Sequence, residues 1–277
     1  MTLPVFFGEH ANSNIATCTP ALSEARTGNT LTWEGTEARH CIRVRRMKTG
    51  EQLELIDGEG LRVLSTIRDI RTSAVTLTID HISKEPASDT QIVLVQGLAK
   101  GGRDEQALEA ATEIGVDQVI PWSAVRCVSQ WVGKKREKGQ QKWTNIVTAA
   151  TKQARRAFIP HVDELVDSPQ LAQRIAAGVQ QGDAVYVLWE ESDQPFVNEI
   201  RTMLCRNKVW QRVWLIIGPE GGITAEEIDM FVHAGAKHMK LGKTIMRVSS
   251  AGPAAIAALA CACGRWDSDA TCTQKVQ

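Results

Sequence analysis

At 277 residues the chain is long enough for one large domain or two modest ones with a proper buried core. Its 43% hydrophobic and 23% charged residues are those of an ordinary soluble globular protein. Thirty-two basic residues balance 32 acidic ones, which excludes a global field pulling the chain to nucleic acid or membrane, so an RNA-binding surface must be local.

The start, Met1 to His10, lacks the basic residues and apolar run of a secretory signal, and a cytoplasmic location is expected. The small-apolar run Ala251 to Cys263 is too short to cross a bilayer and contains Gly252 and Pro253. It reads as a buried helix, and no membrane partner is expected. Cysteines stand at positions 18, 41, 127, 205, 261, 263 and 272 with no CxxC pair, and Cys261 and Cys263 are too close on a helix to face one way. Reduced, mostly buried thiols are the reading, with no metal site.

In chain order, the first eighty-odd residues are β-rich. Gln52 to Ile56 alternates polar and apolar, Asp57-Gly58-Glu59-Gly60 turns, and Leu61 to Ile70 and Ala74 to Ile82 alternate again. Several short strands in a small segment suggest a compact barrel over residues 1–84. The polar stretch Ser83 to Asp89 breaks the pattern, and residues 85–277 form a second domain. There the texture becomes strands alternating with helices. Ile92 to Val95 is a buried strand, Asp104 to Ile114 a helix closed by Gly115, and Val119-Ile120 begins another strand. An amphipathic helix covers Trp143, Ile146, Val147, Ala150 and Ala154. Ala184 to Trp189 and Val213 to Ile217 are further strands. Thr224-Ala225-Glu226-Glu227 is a capping box opening a helix that ends at Gly235. A short strand through Met239 and Leu241 precedes a last helix, with Ser249 or Ser250 as N-cap and Pro253 in its first turn. Such alternation implies an open, mostly parallel α/β sheet.

Ligands of such sheets collect beyond the carboxyl ends of strands, where three loops stand out. Gly97 to Arg103 combines glycines with Lys100 and Arg103, but lacks the phosphate-loop and dinucleotide spacings. Gly218-Pro219-Glu220-Gly221-Gly222 runs from a strand straight into the capped helix, exposing backbone N–H groups at its N-terminus. Glu220 has two readings there: a carboxylate suited to the helix dipole, or a polar contact to cofactor or substrate. Leu241 to Ala251 brings a glycine turn, the apolar Ile245 and Met246, and Arg247, which by itself reads as a solvated side chain.

Taken together and in order, these loops resemble the SPOUT class of methyltransferases, and within it the ribosomal RNA small subunit methyltransferase E family, which methylates uracil N3 in 16S ribosomal RNA. The resemblance runs from about Phe6 to the last helix. Besides the loops it includes Glu37 to Gly50, the turn Asp57 to Gly60, Ala111-Thr112-Glu113 with Gly115-Val116, and Gln153-Ala154-Arg155-Arg156 before Pro160. It implies an α/β SPOUT-type parallel sheet with a deep trefoil knot, preceded by a small PUA-like β-barrel; no pattern rule could have yielded a knot. It also implies S-adenosyl-L-methionine as cofactor and action as a homodimer on 16S rRNA of the small ribosomal subunit. By motif, Leu98, Ile217, Gly218, Gly221, Leu241, Gly242, Ile245 and Met246 would hold the cofactor. The chain departs from the family in one place: a motif that usually runs Leu-Arg-Thr-Glu-Thr-Ala reads Met246-Arg247-Val248-Ser249-Ser250-Ala251, with Ser249 at the glutamate.

Arg247 is the candidate to stabilise charge developing on a uracil oxygen, and Glu220 the candidate proton acceptor, with solvent as its competitor. RNA binding is expected from Arg39, Arg43, Arg45 and Arg46 on the barrel, from Lys134 and Lys135 beside Trp131 and Trp143, and from Arg155 and Arg156. Two other functions fit the same features: a SPOUT enzyme for another ribosomal or transfer RNA base, or a non-catalytic ribosome-assembly factor.

Overall fold

A computed structural model describes residues 3–9, 15–206 and 210–266. It divides into two compact units, Met1–Ala87 with Thr151–Ile159, and Ser88–Ala150 with Pro160–Gln277. The segment Thr151–Ile159 thus belongs with the first unit, which a contiguous boundary near residue 84 does not foresee.

The first unit carries β1 (Val5–Phe7), β2 (Thr17–Thr19), β3 (Thr30–Glu34), α1 (Thr36–Arg43), β4 (Gln52–Ile56), β5 (Leu61–Ile70) and β6 (Ala74–Lys84). Its sheet runs β1-β4-β5-β6-β3-β2, antiparallel except for β1 on β4. Register shifts at Leu64/Ser65 and Ile67/Asp69 mark bulges that bend β5. The two edges come together: Phe6 of β1 and Cys18 of β2 share one core cluster, and Cys18 Sγ donates to Gly8 O at 3.2 Å. The sheet is therefore rolled around its own core. Helix α1 fills the stretch after β3, with Ala38 and Cys41 buried and Arg39 and Arg43 exposed.

The second unit contains β7 (Gln91–Gly97), α2 (Arg103–Ile114), β8 (Gln118–Ser123), α3 (Lys134–Gln153, its last residues in the first unit), β9 (His161–Val162), β10 (Val166–Asp167), α4 (Ser168–Gln180), β11 (Ala184–Leu188), α5 (Phe196–Arg206), β12 (Arg212–Ile217), α6 (Ala225–His233), β13 (Lys237–Met239) and α7 (Val248–Ala262). Every pairing in its sheet is parallel, in the order β10-β8-β7-β12-β11-β13 with β9 beside β8. Parallel strands buried on both faces need near-continuous apolar runs, and Ile92 to Val95 and Val213 to Ile217 supply them. Helices α2 and α5 each pack on α7, which also packs on β7 and β12, while α4 packs on α6, β8 and β11.

Several features differ from the sequence reading. The N-cap of α7 is Arg247, with no side-chain cap bond, so Ser249 and Ser250 lie inside the helix and Pro253 falls in its second turn. The apolar face pressed on β7 and β12 sets that start: Val248 and Gly252 are already buried. Helix α3 begins at Lys134, well before the apolar pattern, because Lys, Arg, Glu and Gln are good helix formers in their own right. Helix α4 was legible, since Asp167 and Gln170 form a full capping box with proline in the first turn. The short β9 and β10 carry no periodicity to read.

Candidate active site

Because β7, β12, β11 and β13 are parallel neighbours, their carboxyl ends share one edge, and the segments leaving them must meet there. The loop Gly218–Gly222 crosses the end of β7. A Cβ at Gly97 would lie 2.8 Å from Pro219 N, so only glycine permits that approach. Gly222 has φ +75°, the left-handed region that turns the loop into α6. Glu220 Oε1 accepts from the Lys100 N–H at 2.9 Å and from Arg103 Nη1 at 3.4 Å, tying this loop to the turn after β7. From the other side Arg126 Nη1 donates to Gly221 O at 3.2 Å.

That second clamp is anchored by a buried carboxylate. Thr224 and Glu227 form the expected capping box, with Glu227 only 2% exposed. Its Oε1 also accepts from Val125 N at 2.8 Å and Ser168 Oγ at 2.5 Å. One side chain thus caps α6 and holds the segment that carries Arg126. Under the first turn, burial pushes the Asp104 carboxyl up, against N–H donors from Ala99 and Glu105 that lower it.

Two clefts open on this edge, each of about 290 Å³. The first lies between the end of β11 and the segment after β13, with Leu241 and Gly242 on its wall. The second lies over the Gly218–Gly222 loop, with Ile217, Glu220, Arg103 and Arg247 around it. They share Leu188, Glu190, Ile245, Met246 and Ala251 and are one continuous groove. Ile245 stands 87% exposed at its lip. The Arg247 guanidinium is exposed and makes no ion pair among the described residues.

Of the residues singled out by sequence, Ile217, Gly218, Glu220, Leu241, Gly242, Ile245, Met246 and Arg247 gather around this groove. Leu98 and Gly221 are not among the residues lining it. Leu98 is fully buried, its N–H donating to Trp122 O at 2.9 Å, and a Cβ at Gly221 would meet Arg126. Ser249 sits half-buried in the first turn of α7. Sequence reasoning missed Glu190, whose exposed carboxylate has no hydrogen-bond or salt-bridge partner among the described residues and borders both clefts. The signal was available: β11 was legible, and the strand-end rule used for the other loops would have nominated Glu190.

The basic candidates fall in both units. Arg39, Arg43, Arg45 and Arg46 are exposed on and just after α1 in the first, without ion pairs among the described residues. Arg155 is exposed in the same unit, its carbonyl accepting from Arg62 Nη2 at 2.5 Å, with Arg156 half-buried beside it. Lys134 and Lys135 are exposed in the first turn of α3. Trp143 is core, 1% exposed, and Trp131 packs edge-on to it at 5.2 Å. Among the described residues no group of three His, Cys, Asp or Glu is placed to hold a metal ion.

Residues 86–260 match the family model described as an RNA methyltransferase domain, and residues 34–80 match one described as an RNA methyltransferase PUA domain. The rolled N-terminal sheet and the parallel sheet with its grooved edge are thus the two parts of an RNA methyltransferase. The ribosomal RNA small subunit methyltransferase E of Mycobacterium bovis is 35% identical over 88% of this chain and 91% of its own length. That of Bacillus subtilis is 27% identical, over 83% and 89%. The chain belongs to the ribosomal RNA small subunit methyltransferase E family. Its fold is also that of the Neisseria gonorrhoeae family member crystallised with S-adenosyl methionine, with a TM-score of 0.77, 22% identity, and 94% and 98% of the two chains covered.

Proposed function

We propose that this chain methylates N3 of a specific uridine in 16S rRNA of the small ribosomal subunit, using S-adenosyl-L-methionine bound in the groove between the ends of β11, β12 and β13. The observation that carries this reading is the joining of two clefts through Leu188, Glu190, Ile245 and Met246, with a guanidinium at one end that makes no ion pair among the described residues. The groove fits that cofactor. Each of its two parts, at about 290 Å³, is near the lower end of small-molecule sites, about 300–1,000 Å³. Apolar side chains suit an adenine, the loops offer backbone N–H groups, and Glu190 offers a carboxylate for hydroxyls or an ammonium.

When bound, the cofactor supplies an electrophilic methyl carbon on a positively charged sulfur. The chain's residues must bring uridine N3 in line with that carbon and bear the charge that appears on the base. Loss of the N3 proton puts negative charge on the uracil oxygens, and taking up the methyl group, with its bond to sulfur broken and a neutral thioether left behind, would discharge it. Arg247, on the second cleft and without an ion pair among the described residues, would hydrogen-bond that charge. Glu220 Oε1 already accepts twice, so the role that fits it is bracing the Lys100–Arg103 turn, and the N3 proton leaves to solvent through the open groove. N3 is on the pairing edge, so the target base must be unpaired or flipped out.

Residues 1–84 and the basic side chains on and after α1 serve RNA binding in this reading, and the chain works in the cytoplasm as a homodimer. Val197 and Leu204, one helical face of α5 at 45% and 53% exposure, support the dimer, and sedimentation equilibrium tests it. The trefoil knot belongs to the same reading. It is supported by the way the parallel order gathers Ile217–Ile223 and Leu241–Arg247 on one edge. The deciding experiment incubates the protein with labelled cofactor and undermethylated small subunits, then digests the RNA to nucleosides. Label in 3-methyluridine is expected; label in another nucleoside, or none, overturns the proposal.

A further inference from the structure

Beside the reaction groove, on the other side of the turn after β7, lies a third cleft of about 510 Å³. Its walls are the Lys100–Gly102 turn and the N-terminal half of α3. The turn is common ground, for Arg103, the next residue, borders the reaction groove. We propose that this cleft seats a nucleotide of the RNA next to the target uridine, its base on Trp131 and its phosphates on Lys100 and Lys135. The proposal rests on the RNA-methyltransferase reading and deepens it.

The platform is built in advance. The indole of Trp131 stands edge-on to buried Trp143 at 5.2 Å and 81°, and a Cβ at Gly139 would come within 2.4 Å of it. Bare backbone at Gly139 is what lets the ring lie on α3. Only part of Trp131 is covered, which leaves indole surface for a ligand. Lys135, Gly139, Lys142 and Trp143 follow helical spacing and share the face of α3 that lines the cleft.

The charges sort into used and unused. Lys142 Nζ pairs with Glu105, and the Asp104 carboxylate is 5% exposed and turned to the N–H groups of Ala99 and Glu105. The ammonium groups of Lys100 and Lys135 are left without a partner among the described residues. The helix dipole does not favour Lys135 there, since it opposes cations in a first turn. A half-open indole with two unspent ammonium groups suits a base with its phosphates, the pairing by which proteins hold single-stranded RNA. The target base must be unpaired or flipped out to react, and a single-stranded flank offers the cleft an unstacked base to hold.

The test uses the full-length protein and a single-stranded fragment of undermethylated small-subunit RNA. Trp131→Ala and Lys135→Glu should each raise KM for RNA roughly tenfold, with kcat at saturating RNA and cofactor Kd within about twofold of wild type. Trp131→Phe should restore KM, because a phenyl ring still stacks. With 4-thiouridine at each position flanking the target, the photo-crosslink of one adjacent position should map to the peptide holding Trp131. If Trp131→Ala unfolds, Lys135→Glu and the crosslink still decide. Unchanged KM in Lys135→Glu, or crosslinks confined to other peptides, overturns the proposal. Failure of the uridine-N3 reading shows separately, as label in a different nucleoside while these KM and crosslink effects persist.

Discussion

Arg247 and Glu220 are adjacent to one groove but are held in opposite ways, and that difference predicts different losses. The Arg247 guanidinium makes no ion pair among the described residues, so Arg247→Ala should lower kcat about 100-fold and change cofactor Kd less than about threefold. Equal losses in both, read by single-turnover kinetics and calorimetry, would exclude a role in the transition state. Glu220 is spent on Lys100 and Arg103. Glu220→Gln keeps an acceptor oxygen, so activity should stay within roughly tenfold with an unchanged pH profile, whereas loss of a general base costs about 10²–10⁴. Cysteines offer a third check. Burial raises the thiols of Cys41 and Cys127 to about 11, and that of Cys18 still further. A raised thiol stays protonated below its pKa, so at pH 8 these three should escape alkylation while exposed Cys261 reacts, as peptide mapping would show. Label on Cys127 in the native protein would mean that the segment carrying Arg126 opens readily.

At the scale of elements, the groove depends on helices whose ends are fixed by different means. Helix α6 is fixed locally: its capping box was readable because Thr224 and Glu227 stand three apart before an apolar run. Glu227 does more than cap, and that second task depends on Val125 and Ser168, far away in the chain. Glu227→Ala should therefore destabilise by about 3 kcal/mol or more, against about 1 kcal/mol for loss of a cap alone, as in Thr224→Ala. Urea melts of the two variants should separate them, and equal values would make the Val125 link unimportant. Helix α7 is fixed by packing. Its serines suggested a cap that the structure does not use, because the buried positions Val248, Gly252, Ala255, Ile256 and Leu259 set its register. Local capping chemistry lost there to the larger area of apolar burial.

Over the whole molecule, RNA binding is a matter of local charge on a neutral chain. Reversing Arg39, Arg43, Arg45 and Arg46 together should weaken RNA binding and flatten its dependence on salt, by roughly 0.7 in slope for each single-strand phosphate that the arginines no longer neutralise. A filter-binding titration that keeps the wild-type slope would remove α1 and its flank from the interface. Much was settled by the chain alone. Apolar runs of strand length, alternating with helix patterns, fixed a parallel sheet, and glycines in order along it marked which turns a ligand can approach. These are signals between residues close in sequence, where periodicity and capping act. Strand order was decided only in three dimensions. By placing β12 between β7 and β11, it brings Glu190 to the Gly218–Gly222 loop and gives Glu220 its partners. Such pairings join residues tens of positions apart, and their energy comes from burial and close approach that no local pattern records.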